Sequence, residues 1–317
     1  VSDTPPERII VVGAGEEAEA LVTALARDDR PTDLVADPGA LSATLAADAA
    51  LVIEAAPDLD TDAKAAALRS LLTSLPGAVP IGVATRLHTV ESLLPATRHG
   101  ARVVGLNLVS GSPVAEVAMP AQFDDEVVDG VLALLEAWGL VALPCGDAPG
   151  RIVDRLVAVA WLEARSAAAA GMADGDVAAA LMDAGLSLAV LGEDAVATRV
   201  IAAIHAGLGE PDRFDSAIAA PRRTPPPDAA TISDRLVLAV IAEAYRLVEE
   251  AVAGAEEIER AMTAGAGWTA GPFTLAGRRG LRGVVTGLTA IARDPAEDVA
   301  ARDRFAMPRV LWTMATV

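Results

Sequence analysis

Along the first 146 residues, short apolar runs alternate with longer stretches in which apolar side chains recur every three or four positions. Arg8–Val12 is a β-branched run ending at Gly13, and Asp33–Asp37, Ala50–Ala55, Val79–Ala84, Arg102–Leu108 and Leu140–Pro144 are further strand candidates. Between them, Glu17–Ala26, Asp60–Ser74 and Glu126–Trp138 read as alanine-rich amphipathic helices. Strands alternating with helices of this length predict a parallel sheet covered on both faces. After Gly146 the texture changes: nearly everything from Arg151 to Ala206 has helical periodicity, and no alternating pattern survives. Pro221–Asp228 (PRRTPPPD) is a breaker that no helix crosses. The expected organisation is an α/β domain over residues 1–146, a helical domain over 147–220, a proline-rich linker over 221–230 and a second helical domain over 231–317.

The two helical pieces read as repeats. Ile152–Ala164 (IVDRLVAVAWLEA) and Ile232–Ala244 (ISDRLVLAVIAEA) share seven of 13 positions at a constant offset of 80. A second echo is Asp-Arg-Phe, at Asp212–Phe214 and again at Asp303–Phe305. A duplicated helical domain accounts for both.

Ile9–Ala18 (IIVVGAGEEA) contains Gly-x-Gly-x-x-Ala directly after a strand and at the start of a helix. In that setting Gly13 allows a tight turn, Gly15 lets the backbone approach a pyrophosphate, and Ala18 is small enough for helix and strand to pack. The helix start would offer its amide hydrogens to the phosphates. These features predict a Rossmann-like dinucleotide site. Asp37, 19 residues beyond Ala18 at the end of the second strand, would accept both ribose hydroxyls and repel a 2′-phosphate, so NAD is expected over NADP. Glu16 and Glu17 stand against this, because carboxylates in the phosphate loop compete with the phosphates.

Composition narrows the chemistry. The chain has 317 residues, of which 53% are apolar and 3% aromatic, so aliphatic side chains and alanine must build a large core. A net charge of −19 argues against a nucleic-acid partner. Lys64 is the single lysine, and arginine supplies the other cations. With one cysteine, Cys145, there is no intrachain disulfide and no cysteine-based zinc site. His88, His99 and His205 lack ligand spacing, so no metal is expected. No apolar run approaches the roughly 20 residues that span a bilayer, and Val1–Arg8 has no signal-peptide core. These readings predict a soluble, cytoplasmic chain.

Several segments, in their order and spacing, resemble the 3-hydroxyacyl-CoA dehydrogenases, in the version with two C-terminal helical domains. Val52–Lys64 (VIEAAPDLDTDAK) is similar to the family's strand-loop-helix after the nucleotide motif, with Glu54 implied at the cofactor. Val104–Val117 (VGLNLVSGSPVAEV) sits where the family has Gly-x-His-Phe-Phe-Asn-Pro. Asp147–Leu156 (DAPGRIVDRL) resembles the Asp-x-Pro-Gly-Phe-Ile-x-Asn-Arg-Leu that opens the helical domain, and Gly271–Leu281 (GPFTLAGRRGL) the Gly-Pro-Phe segment of the second repeat. The resemblance implies a Rossmann-like domain followed by tandem helical domains, and NAD-dependent oxidation of a 3-hydroxyacyl thioester, an acyl-CoA or a relative of it. It also implies that the second repeat packs on the first in place of a dimer partner, leaving a monomer with an internal repeat or a homodimer.

The departures cluster where that chemistry is done. The position matching the family's catalytic histidine is Asn107, and Met119 stands twelve residues further on, where its glutamate is expected. Asparagine cannot cycle a proton near neutrality. Asp154 matches the substrate-contacting asparagine, and Ala84–Thr89 matches a serine-rich substrate loop. His88, in that loop, is a candidate replacement base, though a solvated or structural histidine is the plainer reading. Glu116 is a candidate carboxylate, but its odd spacing from Met119 puts the two on opposite faces of a strand. Asp154 and Asp234, with Arg155 and Arg235, read as helix-terminal charges or interdomain salt bridges. Arg278, Arg279 and Arg282 read as surface residues, and the five glutamates of Glu249–Glu259 as a solvated helix edge. Only 13 residues separate Asp37 from Leu51, too few for the helical hairpin with which the family clasps CoA. Two functional classes follow: a dehydrogenase with an altered catalytic set, or a catalytically silent homologue serving as a nucleotide-binding or partner subunit.

Overall fold

β1 (Arg8–Val12) carries four consecutive fully buried aliphatic side chains, the signature of a parallel strand covered on both faces. It belongs to a computed structural model that describes residues 8–26, 32–37, 41, 49–94, 100–215 and 228–316. The residues before Arg8, most of the stretch between Asp37 and Leu51, His99 and linker residues 221–227 lie outside the described set. The chain forms two units, one of residues 1–109 with 113–148, the other of 110–112 with 149–317.

The first unit continues with α1 (Glu16–Leu25), β2 (Thr32–Val35), β3 (Ala49–Glu54), α2 (Thr61–Ser74), β4 (Ile81–Ala84) and the single turn α3 (Val90–Leu93). After these come β5 (Val103–Leu108), β6 (Val114–Met119), α4 (Asp125–Ala137) and β7 (Val141–Gly146). The sheet order is β2-β1-β3-β4-β5-β6-β7, and every pairing is parallel except β5 with β6. That antiparallel hairpin corrects the expectation of a parallel sheet throughout, and β6 is a strand the hydrophobic pattern did not disclose.

The period of two in β1 decides which layer each residue feeds. Ile9 and Val11 enter a core with Ala18 and Leu25 of α1 and Val131 and Leu135 of α4. Ile10 and Val12 point the other way, toward Leu68 and Leu71 of α2. Each such aliphatic side chain contributes about 1.5–3 kcal/mol when fully buried. α2 begins where the Asp60 side chain accepts from Ala63 N at 2.9 Å, and α4 where Asp124 accepts from Glu126 N at 3.0 Å.

The second unit is helical: α5 (Val153–Ala169), α6 (Asp174–Ala184), α7 (Asp194–Gly207), α8 (Ala229–Glu249) and α9 (Ala255–Arg260). α10 (Pro272–Arg279), α11 (Leu281–Ala292), α12 (Val299–Arg304) and α13 (Arg309–Thr316) complete it. α5 and α8 carry the repeated sequence and pack on one another. Their polar contacts are reciprocal. Arg155 Nε donates to Glu243 Oε1 at 2.6 Å, and Arg235 Nε donates to Glu163 Oε1 at 2.5 Å. An offset of 80 relates Arg155 to Arg235 and Glu163 to Glu243, so each repeat gives its arginine to the other's glutamate. The Asp-Arg-Phe echo behaves likewise: Arg213 Nε reaches Glu243 Oε2 at 3.0 Å, and Arg304 Nη1 reaches Glu163 Oε2 at 3.0 Å. This is the contact pattern of an isologous two-fold interface, made inside one chain.

Burial alone would push the Glu243 carboxyl up, but the guanidinium groups of Arg155, Arg246 and Arg213 outweigh it and hold the group down to about 2. Arg155, fully buried, is held above its ordinary value by Glu243 and Glu250 despite the burial that opposes its charge. The glutamate run is therefore not a plain solvated edge. Glu250 pairs with Arg155 at 2.6 Å, and Glu259 accepts from Phe273 N at 2.6 Å and from Thr274 Oγ1 at 2.7 Å, closing the start of α10. Arg279 is also more than a surface cation, because it pairs with Asp234.

Candidate functional site

The carboxyl end of β1 is tied by backbone to β2 on one side and to the residue after β3 on the other. Gly13 N donates to Val35 O at 2.9 Å and Ala55 N to Val12 O at 2.8 Å. A Cβ on Gly13 would stand 2.3 Å from the Ala55 carbonyl oxygen, so only glycine fits there. Gly15 has φ +89° and open space above it, and it starts α1 with no side-chain cap. Ala18 is fully buried against the sheet. Thus the three small residues of the motif have three different jobs: close approach, left-handed turn and helix packing. Asp37 is exposed two residues beyond the end of β2, the strand paired with β1.

Glu16 and Glu17 are exposed in the first turn of α1. Glu17 is engaged elsewhere, since its Oε2 accepts from Asp58 N at 2.9 Å. Asp58 also ties two neighbouring loops. Its Oδ2 accepts from Arg86 N at 2.7 Å and Leu87 N at 3.0 Å, and its carbonyl takes the His88 ring N–H at Nε2, 2.9 Å away. His88 is therefore an anchored loop residue whose Nε2 carries the proton.

Beneath this loop lies a buried ion pair. Lys64 Nζ stands 3.0 Å from Glu54 Oε2 and donates to Ala56 O at 2.8 Å, while Ala56 N donates to Glu54 Oε1 at 2.6 Å. Burial pushes the Glu54 carboxyl up, and the Lys64 charge opposes that shift. Both side chains are fully buried, so Glu54 shapes the loop on which Gly13 packs.

Asn107 lies near the end of β5, and its Nδ2 donates to Glu116 Oε2 at 2.7 Å. The two residues are direct partners in the β5–β6 ladder, and both are buried. Met119 belongs to the opposite face, where it packs with Val117 and Ala115 against the apolar core. The structure thus brings Asn107 together with Glu116 and not with Met119. The turn after Val109 is tight, with Val109 N donating to Val114 O at 2.9 Å, and it sets the register that puts Glu116 opposite Asn107. The Gly111–Ser112–Pro113 sequence was the signal from which that register was legible.

Asp154 lies in the second unit, in the first turn of α5, and is buried. Its repeat counterpart Asp234 is half-exposed and held by Arg279. Among the described residues no group of three or more His, Cys, Asp or Glu side chains is placed to hold a metal, and no helix is long and apolar enough to cross a membrane.

Residues 232–316 match the family model of the 3-hydroxyacyl-CoA dehydrogenase C-terminal domain. The 3-hydroxybutyryl-CoA dehydrogenase of Escherichia coli K12 is similar in fold, with a TM-score of 0.76 at 18% identity over 97% of this chain and 93% of that one. The dehydrogenase part of multifunctional enzyme 1 from C. elegans follows with a TM-score of 0.58 at 12% identity, over 98% and 90% of the two chains. No curated protein sequence matches the chain. Residues 232–316 thus match the 3-hydroxyacyl-CoA dehydrogenase C-terminal domain, and the chain as a whole carries the fold seen in the two dehydrogenases.

Proposed function

We propose that this chain binds NAD and a 3-hydroxyacyl thioester on a dehydrogenase scaffold that no longer moves the hydroxyl proton. The observation that carries the reading is the Asn107–Glu116 pair, an amide where the reaction needs a base, bonded to a buried carboxylate at 2.7 Å. Oxidising a secondary alcohol removes a hydride and a proton together. NAD, when bound, supplies the hydride acceptor, and the protein must supply the proton acceptor. A neutral amide is not one near pH 7.

The nucleotide fits the residues present. Open space over Gly15 and an uncapped helix start suit a pyrophosphate, and the Glu17 carboxylate is already turned to Asp58 N. Gly13, Gly15 and Ala18 shape the turn, and Asp37 would take the ribose hydroxyls, favouring NAD over NADP. His88, with its Nε2–H given to the Asp58 carbonyl, positions a loop in this reading. The internal pairing of α5 with α8 supports a chain that functions as a monomer. The specific test is calorimetric titration with NAD and with 3-hydroxybutyryl-CoA, followed by mixing the two and watching for NADH absorbance. Binding of both with no NADH formed is the expected result. Turnover at rates ordinary for enzymes, on the order of 1 s⁻¹ or more, overturns the reading.

A further inference from the structure

α11 ends beside a cavity that the proposed activity does not use. Thr289, Ala292 and Arg293 at the end of this helix line it together with Phe305, Met307 and Trp312. The cavity holds about 190 Å³, is partly open to solvent and lies wholly within the second unit. Phe305 is fully buried, with the Arg235 guanidinium 4.7 Å over its ring, so the apolar part of the lining is held in place. Trp312 of α13 is 54% exposed, a large apolar surface left for something to cover. Two donors share the lining. Thr289 and Arg293 are four residues apart and so are neighbours on one helix face. Thr286 returns its hydroxyl to the Arg282 carbonyl at 2.8 Å, but among the described residues the Thr289 hydroxyl makes no such bond. Arg293 is likewise in no ion pair among the described residues, in a chain of net charge −19 and in a unit where Arg155, Arg213, Arg235, Arg246, Arg279 and Arg304 all hold carboxylates. The acids nearest to it in sequence are engaged elsewhere: Asp294 accepts from Ala296 N at 2.8 Å, Glu297 pairs with Arg235 at 2.8 Å, and Asp298 accepts from Ala301 N at 2.7 Å.

The geometry points to a second ligand site at the end of α11, for a small monocarboxylate with an apolar tail. An apolar cavity of about 150 Å³ takes a benzene ring, so this one suits a tail of about six to eight carbons. The tail lies against Phe305, Met307 and Trp312, and the carboxylate accepts from the Arg293 guanidinium and the Thr289 hydroxyl. The carboxyl end of a helix carries partial negative charge and opposes an anion, so the guanidinium is the group that makes a carboxylate acceptable there. The site is independent of the reading built on Asn107, which belongs to the first unit.

The test titrates the full chain with octanoate, by calorimetry and by tryptophan fluorescence. One-to-one saturable binding is expected, with a Kd on the order of 0.1–1 mM for a ligand of about ten non-hydrogen atoms. 1-Octanol keeps the tail and lacks the charge, and it should bind about tenfold more weakly. Octanoate should lose about the same factor on Arg293→Gln, an exposed change whose unfolding midpoint should match the native chain. Ala292→Leu, which takes up part of the cavity, should weaken octanoate and octanol alike. Trp312→Phe should abolish the fluorescence change and keep the heat of binding. Excess 3-hydroxybutyryl-CoA should leave the octanoate titration unchanged. Absence of saturable binding overturns the inference, as does equal affinity in the native chain and Arg293→Gln, or a fluorescence change that survives Trp312→Phe. Displacement of octanoate by the thioester would put the acid in another site and overturns it equally.

Discussion

Glu116 stands directly across the β5–β6 ladder from Asn107 and takes its amide hydrogen at 2.7 Å, whereas Met119, three residues further on, turns to the opposite face of the sheet. Position 107 therefore has a carboxylate partner already in place, held by strand register. Met119 is an apolar packing residue. Met119→Glu should lower stability by about 1–3 kcal/mol in denaturant unfolding, because it puts a carboxylate against an apolar core, and it should add no dehydrogenase activity.

The reciprocal pairs between α5 and α8 separate structural charges from ornamental ones. Glu243→Gln leaves Arg155, Arg213 and Arg246 facing a neutral amide, and Arg155 is fully buried. Breaking such a group should lower unfolding stability by about 3–5 kcal/mol. The exposed pair of Arg165 with Asp194 is a control: Arg165→Ala should change stability by about 0.5 kcal/mol or less. Denaturant midpoints of both variants, at constant slope, make the comparison.

Acid should act through the same carboxylate. The Glu243 pKa is about 2 in the folded chain against an ordinary value of 4.5. Because it is depressed, its contribution is complete above about pH 4.5 and is lost as pH falls toward 2, an effect on the order of 3 kcal/mol. Unfolding stability measured across this window should therefore drop in the native chain, and the drop should be shallower in Glu243→Gln.

At the turn after β1, Gly13→Ala and Gly15→Ala should fail for different reasons. The first collides with the Ala55 carbonyl and should destabilise the first unit by about 1–3 kcal/mol. The second has free space but a left-handed backbone, and its penalty should be nearer 1 kcal/mol. Thermal unfolding orders the two, and NADH titration should show the larger loss for Gly13→Ala.

The proposed role of Asp37 at the ribose predicts a cofactor preference. NADH is expected to bind at least about tenfold more tightly than NADPH, and Asp37→Ser should narrow that ratio by weakening NADH. A native preference for NADPH would remove Asp37 from the ribose site.

Much of the fold was legible because local pattern and tertiary role agree. The run Arg8–Val12 is a strand in both readings, and the duplicated Asp-Arg-Leu-Val segments mark the two helices that pair. β6 was hidden because Val114–Met119 mixes small, charged and apolar residues, and only pairing with β5 makes it a strand. The site was less legible for the same reason. The resemblance put Met119 at the position of the family's glutamate, and only the strand register shows that Glu116 is the residue opposite Asn107. Glu250 and Glu259 resemble surface acids until Arg155 and the α10 start are seen beside them.

The most direct measurement follows NADH absorbance with acetoacetyl-CoA for the native chain and for the single variant Asn107→His. An imidazole at position 107 has its carboxylate ready in Glu116, so the variant is expected to gain turnover while the native chain stays silent. A further Glu116→Gln change should remove the gain and shift its pH dependence. Native turnover at rates ordinary for enzymes would contradict the claim that this chain has lost its proton acceptor, and would send the search to His88.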